Sequence, residues 1–152
     1  AHPTVKGWQV MNDEGGYMFN AYRGRWLPDT PAQRKIVLDR LRSWFPFSNS
    51  SPVEGIVEAI RTYYASGLRI SLYVLGDEFT GSSIDSVVRA VDVINREDKG
   101  GRRRVRIHAI GFPVRPDAPQ YTSVRFATLM RILCDRNGGT FVGLDDPGGY
   151  RR

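Results

Sequence analysis

The sequence is poor in the residues that build disulfides and soft-metal sites. It has one cysteine, Cys134, so it can form neither an internal disulfide nor a thiolate cluster. It has two histidines, and His108 has no cysteine or second histidine at ligand spacing. There is no G-x-G-x-x-G fingerprint, no G-x-x-x-x-G-K phosphate loop and no G-x-S-x-G elbow. The common dinucleotide, P-loop and serine-hydrolase sites therefore have no local signature. No apolar run approaches the ~20 residues of a membrane-spanning helix. No internal repeat or low-complexity segment stands out. A single cysteine is compatible with oxidising and reducing compartments alike, so localisation stays open.

What is present is ordinary for a globular domain. The chain has 152 residues, 41% hydrophobic and 25% charged, enough for one domain that buries roughly two-thirds of its unfolded surface. The formal charge is +6, spread along the chain. The only dense basic run is Arg102 to Arg104 with Arg106, beside Lys99. It reads either as a solvated strand entrance or as a patch for a nucleic acid or another anionic polymer.

The organising stretch is Leu68 to Gly81, LRISLYVLGDEFTG. Leu68 to Leu75 predicts a strand buried on both faces, as in a parallel sheet. Asp77 and Glu78 follow at its end, where open α/β sheets bind ligands. Upstream, Lys6 to Asn12 and Tyr17 to Arg23 predict an antiparallel hairpin at one edge of the sheet, turned by Asp13-Glu14-Gly15-Gly16. Thr30, Pro31 and Gln33 open an amphipathic helix with Ile36, Val37, Leu41 and Trp44 inward. Ser51, Pro52 and Glu54 repeat that pattern for a second helix, whose stripe is Val53, Ile56, Val57, Ile60 and Tyr64.

Downstream, Ser82 or Ser83 caps a helix carrying Ile84, Val87, Val88, Val91 and Ile94. Val105 to Ile110 predicts a strand, and Gly111 to Gln120, with three prolines, an irregular loop. A helix with Phe126, Met130, Leu133 and Cys134 inward ends at Asn137-Gly138-Gly139. Thr140 to Leu144 forms the last strand, and residues 145–152 read as a tail or linker. This order predicts an α/β fold: a Rossmann-like three-layer domain over 1–144, mostly parallel, with an antiparallel edge hairpin and helices on both faces.

Two groups carry candidate chemistry. Asp77, Glu78 and Thr80 offer hard oxygen donors suited to magnesium, manganese or calcium, although Asp77 could equally cap its loop and Glu78 face water. Ser48, Ser50 and Ser51 precede the second helix. Ser51 fits the N-cap, which leaves Ser50 free to face a ligand. His108 fits a satisfied core histidine, Cys134 inert packing, and Trp8, Trp26 and Trp44 packing rather than a base-stacking platform.

Several stretches together resemble the von Willebrand factor type A (VWA) family. Leu75-Gly76-Asp77-Glu78-Phe79-Thr80-Gly81 is similar to the family's Leu-Ser-Asp-Gly-x-x-Thr-Gly segment after its fourth strand. VRIHAIGF (Val105 to Phe112) is similar to its fifth strand. RILCDRNGGTFV, within Leu129 to Val142, resembles its last helix, double glycine and last strand. FNAYRGRWLPDTP resembles the part after its second and third strands. The likeness covers most of the chain in the family's order.

The resemblance implies a metal-ion-dependent adhesion site, with Asp77 at the third-loop aspartate and Ser50 where the family usually has threonine. The family's first strand, first helix and Asp-x-Ser-x-Ser loop have no counterpart in the sequence, and Glu78 replaces the usual glycine. The implied site is therefore incomplete. The strand at Leu68 to Leu75 also lacks its mid-sheet neighbour, which Ala1 to Asn12, a longer chain or a partner would have to supply.

The expectation is a non-enzymatic protein-interaction module of VWA type, of adhesion or scaffold kind. Its metal ligands would be Asp77 and Ser50, with Ser48, Ser51, Glu78 and Thr80 against a protein partner and Mg2+, Mn2+ or Ca2+ as the cation. Loops 45–51, 76–82 and 111–120 would make the contacts. Two alternatives stand beside it: a divalent-metal-dependent enzyme using Asp77 and Glu78, and a basic nucleic-acid or anionic-polymer binder acting through Lys99 to Arg106.

Overall fold

A computed structural model describes residues 5–45, 47–65, 67–97, 100–113 and 120–144. The elements follow the order β1 (Gly7–Trp8), β2 (Leu27–Pro28), α1 (Pro31–Leu41), α2 (Val53–Tyr63), β3 (Ile70–Gly76), α3 (Ile84–Ile94), β4 (Val105–Gly111), α4 (Gln120–Arg136) and β5 (Phe141–Gly143). A parallel three-stranded sheet has the order β3-β4-β5, and a separate antiparallel sheet pairs β1 with β2. The mixed α/β class and the alternating parallel half are as the sequence predicts.

Helix starts follow their local chemistry where a free hydroxyl stands at the cap. Thr30 Oγ1 accepts from the Gln33 N–H at 3.1 Å, and Ser83 Oγ accepts from the Ser86 N–H at 3.3 Å. The second helix departs from this rule. Its N-cap is Pro52, which makes no side-chain cap bond. A distant turn does the work instead: the Gly55 N–H donates to the Asp13 carbonyl at 2.7 Å. A Cβ on Gly55 would lie 2.7 Å from the Asn12 carbonyl oxygen, so only glycine lets this turn lie on the helix.

The main core lies on one face of the parallel sheet. Val74, Val105, Ile107 and Ala109 from the strands meet Ile56, Ile60, Val87, Val91, Phe126, Leu129, Met130, Leu133 and Cys134 from α2, α3 and α4. The inward residues predicted for α4 are all buried; of the α3 stripe Val87 and Val91 are buried, and Ile84, Val88 and Ile94 pack partly buried against the core. Phe126 and Cys134 sit as expected, and burial pushes the Cys134 thiol up to about 11.

Four expectations are corrected. The strand predicted at Leu68 to Leu75 runs from Ile70 to Gly76 and is buried on one face only. Among the described residues no helix covers the other face, where Tyr73 is 60% and Leu75 59% exposed. The helices on both faces of a three-layer sheet are thus not found there: the described structure has one helical layer on the sheet. Third, the hairpin is reduced. Met11 and Tyr17 form an isolated bridge across the 13–16 turn, but residues 20–22 turn into a short 3-10 helix, and β1 pairs with β2 instead. Leu27, fully buried between Met18 and Val37, wins that pairing for its strand and places the small sheet in its own cluster rather than at an edge of the large one. Fourth, α1 does not lie on the main sheet. Only Val37 is buried, and Ile36 and Leu41 are exposed. The tail at 145–152 and most of the proline loop, 114–119, lie outside the described residues.

Two buried asparagines lock the amino edge of the sheet. Asn95 Nδ2 donates to the Val105 carbonyl and to Asn137 Oδ1, both at 2.7 Å, and its Oδ1 accepts from the Val105 N–H at 2.8 Å. Asn137 Nδ2 donates to the Leu133 carbonyl at 2.7 Å. The end of α3, the end of α4 and the start of β4 are thereby joined by direct hydrogen bonds. Beside them Arg103 Nη2 lies 3.1 Å from Asp92, and Arg103 donates to the carbonyls of Asn95 and Arg136.

His108 also has a structural role. Its Nδ1 accepts from the Thr140 N–H at 3.1 Å, and its ring stacks on Tyr73 with centroids 5.0 Å apart. Burial, with the nearby Arg106 charge, holds the imidazole below its ordinary value of 6.5.

Two predictions follow from these contacts. Asn95→Ala leaves the Val105 N–H and carbonyl without partners and is expected to cost about 2–3 kcal/mol in urea unfolding; Asn95 on the exposed side of α3 would have cost almost nothing. For His108, the folded state favours the neutral ring, so its contribution to stability is fully present above pH ~6.5 and is lost as pH falls below that. The urea midpoint is expected to drop between pH ~7.5 and ~5, above the main carboxylate range. His108→Asn, which keeps an acceptor for Thr140, is expected to flatten that drop.

Candidate functional site

The carboxyl edge of the parallel sheet gathers three segments. α2 runs antiparallel to β3, so its leading loop comes to the edge where β3 ends. The Thr80 N–H donates to the Ser50 carbonyl at 3.0 Å, and Thr80 Oγ1 donates to the Asn49 carbonyl at 2.7 Å. The start of α4 joins them: the Phe79 N–H donates to the Thr122 carbonyl at 3.0 Å, and Thr122 Oγ1 donates to Glu78 Oε1 at 3.0 Å. Phe79 is buried beneath this junction, and Arg125 lies over its ring while donating to the Gly81 carbonyl.

The residues named from the sequence divide into two sets. Ser48, Ser51, Thr80 and Glu78 are held by internal bonds. Ser48 Oγ donates to Asp13 Oδ2 at 2.8 Å and Ser51 donates its backbone N–H to the same oxygen at 3.3 Å. Glu78 and Thr80 are engaged as described above. The Asp77 carboxylate and the Ser50 hydroxyl have no hydrogen-bond or ion-pair partner among the described residues, and Asp77 is exposed. Ser51 is not the side-chain cap that the sequence predicts; the turn at Asp13 has that place.

Ser50 is also the one described residue other than glycine with a positive φ, 56°. Holding a residue with a Cβ in the left-handed region costs roughly 1–2 kcal/mol. Such strain persists where surrounding bonds impose it, and it concentrates at functional sites. Here the Ser50 N–H donates to Ser48 Oγ at 3.1 Å, and its carbonyl is held by Thr80.

Asp13 is the acidic residue that sequence reasoning missed. It lies in an Asp-Glu-Gly-Gly run that reads only as a turn, and nothing local ties it to a loop 35 residues away. Gly55 was the available signal, since a glycine inside a helix marks a close backbone approach.

The oxygen donors fit a hard cation in type, but sparsely. Among the described residues no group of three or more His, Cys, Asp or Glu side chains is placed to hold a metal. A cation at Asp77 and Ser50 would take most of its ligands from water or from another molecule, which suits magnesium better than a caged calcium.

The basic run has a different surrounding. Arg103 is engaged with Asp92 and two helix-end carbonyls, and Arg104 lies over the Tyr64 ring and donates to the Ile94 carbonyl. Arg106 is exposed on the bare face of β4. Lys99 lies outside the described residues.

Comparison of the chain with protein-family models, with curated proteins and with solved structures finds no match in any of the three.

The strain at position 50 yields a test that separates site from fold. Ser50→Gly is expected to raise stability by about 1 kcal/mol, because glycine adopts φ > 0 freely, while deleting the only hydroxyl at that position. Thermal or urea unfolding reads the gain; a loss of stability would mean that the side chain supports the loop.

Proposed function

We propose that this chain is a non-enzymatic protein-interaction module of VWA type, in which Asp77 and Ser50 form an incomplete metal-ion-dependent adhesion site. The observation that carries this reading is the division at the carboxyl edge. Ser48, Thr80 and Glu78 are engaged in knitting the loops together, and the Asp77 carboxylate and Ser50 hydroxyl have no partner among the described residues. The positive φ of Ser50 and the bonds from Thr80 to the Asn49 and Ser50 carbonyls fix the backbone of the Ser50 loop, which lowers the ordering cost of binding on that side.

The bound cation would act as an electrostatic bridge. One carboxylate and one hydroxyl leave most of its coordination to water, and a carboxylate of a protein partner would displace a water and complete it. The residues of the first loop in the family's pattern are absent from the sequence, so affinity for the metal alone is weak and the partner's contribution large. For the enzyme alternative, no nucleophile and base are brought together at this edge among the described residues. The alternative of an anionic-polymer binder loses Arg103 and Arg104 to internal bonds.

Isothermal calorimetry with magnesium, manganese and calcium tests the reading. Weak binding with Kd near ~10⁻³ M, at the weak end for oxygen sites, is expected for at least one of the three. Asp77→Ala should abolish the heat and Ser50→Ala reduce it. No heat with any of the three ions would remove the metal from the proposal.

A further inference from the structure

The outer edge of β3 has no strand beside it among the described residues. The direction of its free groups follows from one bond. The Phe112 N–H donates to the Gly76 carbonyl at 2.8 Å, so in this parallel ladder the even-numbered residues of β3 point their backbone groups at β4. The odd-numbered residues, Ser71, Tyr73 and Leu75, then turn both N–H and C=O outward. Their side chains are also the exposed ones, on the sheet face that no described helix covers. Backbone donors, backbone acceptors and apolar side chains therefore face away from the molecule together. Among the described residues no charged residue apart from Arg69, which precedes the strand, blunts this edge, whereas isolated edges are usually protected by inward charges, proline or bulges.

We infer that this edge is a self-pairing surface: a second copy of the chain adds its β3 antiparallel to the first about a two-fold axis at Tyr73, giving one continuous six-stranded sheet. An isologous contact needs a surface complementary to itself, and the register about Tyr73 provides one. It places Tyr73 opposite Tyr73, Ser71 opposite Leu75, and Arg69 opposite Asp77. All are outward-pointing positions, so each pair can exchange two backbone hydrogen bonds. Centring the axis on Ser71 or Leu75 instead loses the opposition of Arg69 and Asp77. Both of these side chains are exposed and have no ion-pair partner among the described residues. Opposite charges directly across a ladder favour a register, and like charges oppose it. Tyr73 and Leu75 from both copies would form one apolar strip over the bare face, with His108 stacked beneath each Tyr73. This pairing goes beyond the loop site, although it uses the same Asp77.

Sedimentation over a concentration series tests it. The wild-type chain is expected to show a mass of two chains. Arg69→Asp alone and Asp77→Arg alone should each run as one chain, because each places like charges opposite one another at both ends of the ladder. An equimolar mixture of the two variants should restore the two-chain mass, since both opposed pairs then become attractive. Ser71→Pro should also run as a folded single chain by circular dichroism, because the N–H it removes points away from β4. A one-chain mass for the wild type at every concentration would overturn the pairing. So would a two-chain mass that survives both charge reversals, or a mixture that stays unpaired; another occupant of the edge, or none, would then be indicated. Arg69→Asp and Ser71→Pro leave Asp77 and Ser50 unchanged. Metal binding retained in those variants separates a failure of this pairing from a failure of the loop site.

Discussion

The parallel half of this molecule depends on a buried amide pair. Asn95 and Asn137 are both essentially inaccessible, Asn95 at the end of α3 and Asn137 just past the end of α4. Asn95 imitates a short strand partner for Val105, with one donor and one acceptor meeting the backbone of β4. Asn137 closes α4 and passes a bond back to Asn95. Just beyond, Gly139 approaches β4 so closely that a Cβ would overlap the Ile107 carbonyl. Helix ends, strand start and the crossing into β5 are therefore fixed within a few residues. With the amino edge so held, β3, β4 and β5 present their carboxyl ends in register, and the loops that follow can meet.

A second constraint acts at the opposite edge, and it comes from far away in sequence. The Asp13 turn reaches across to α2 and bonds Ser48, Ser51 and Gly55. It thereby holds the loop that strains Ser50. The small β1–β2 unit, with its own cluster around Met18, Leu27 and Val37, is thus more than an appendage, since the turn between its strands positions one of the carboxyl-edge loops. Among the described residues the large sheet meanwhile buries one face only. Tyr73 and Leu75 lie exposed beside a strand edge with no paired strand among the described residues, so hydrophobic and hydrogen-bonding capacity fall together on that side of β3.

How much of this could be read in the sequence depended on how local each cause is. The caps at Thr30 and Ser83, the stripes of α3 and α4 and the stop at Asn137-Gly138-Gly139 arise from neighbours in the chain, and all were legible. The apolar run of β3 was legible as a strand but not as a half-exposed one. Composition reports that Tyr73 and Leu75 favour burial, but not whether a second layer exists to bury them. Alternation failed as a guide at Tyr17 to Arg23, where the buried Leu27 captured β1 from farther along. At the site, Asp77 and Ser50 could be singled out by their places after a strand and before a helix. Asp13 could not, because only the folded backbone brings it there. Asn95 was equally hidden: a polar residue after an apolar helix reads as an exposed terminus.

Cys134 gives the molecule an internal reporter. It is the only thiol, 1% exposed, and set on the side of α4 that lies against the sheet. Burial leaves almost none of it accessible and its thiolate scarce while α4 is packed on the sheet. The rate of thiol modification would thus count openings of the core itself. Motion of the carboxyl-edge loops or of the β1–β2 unit, which carry no thiol, would be silent in that signal.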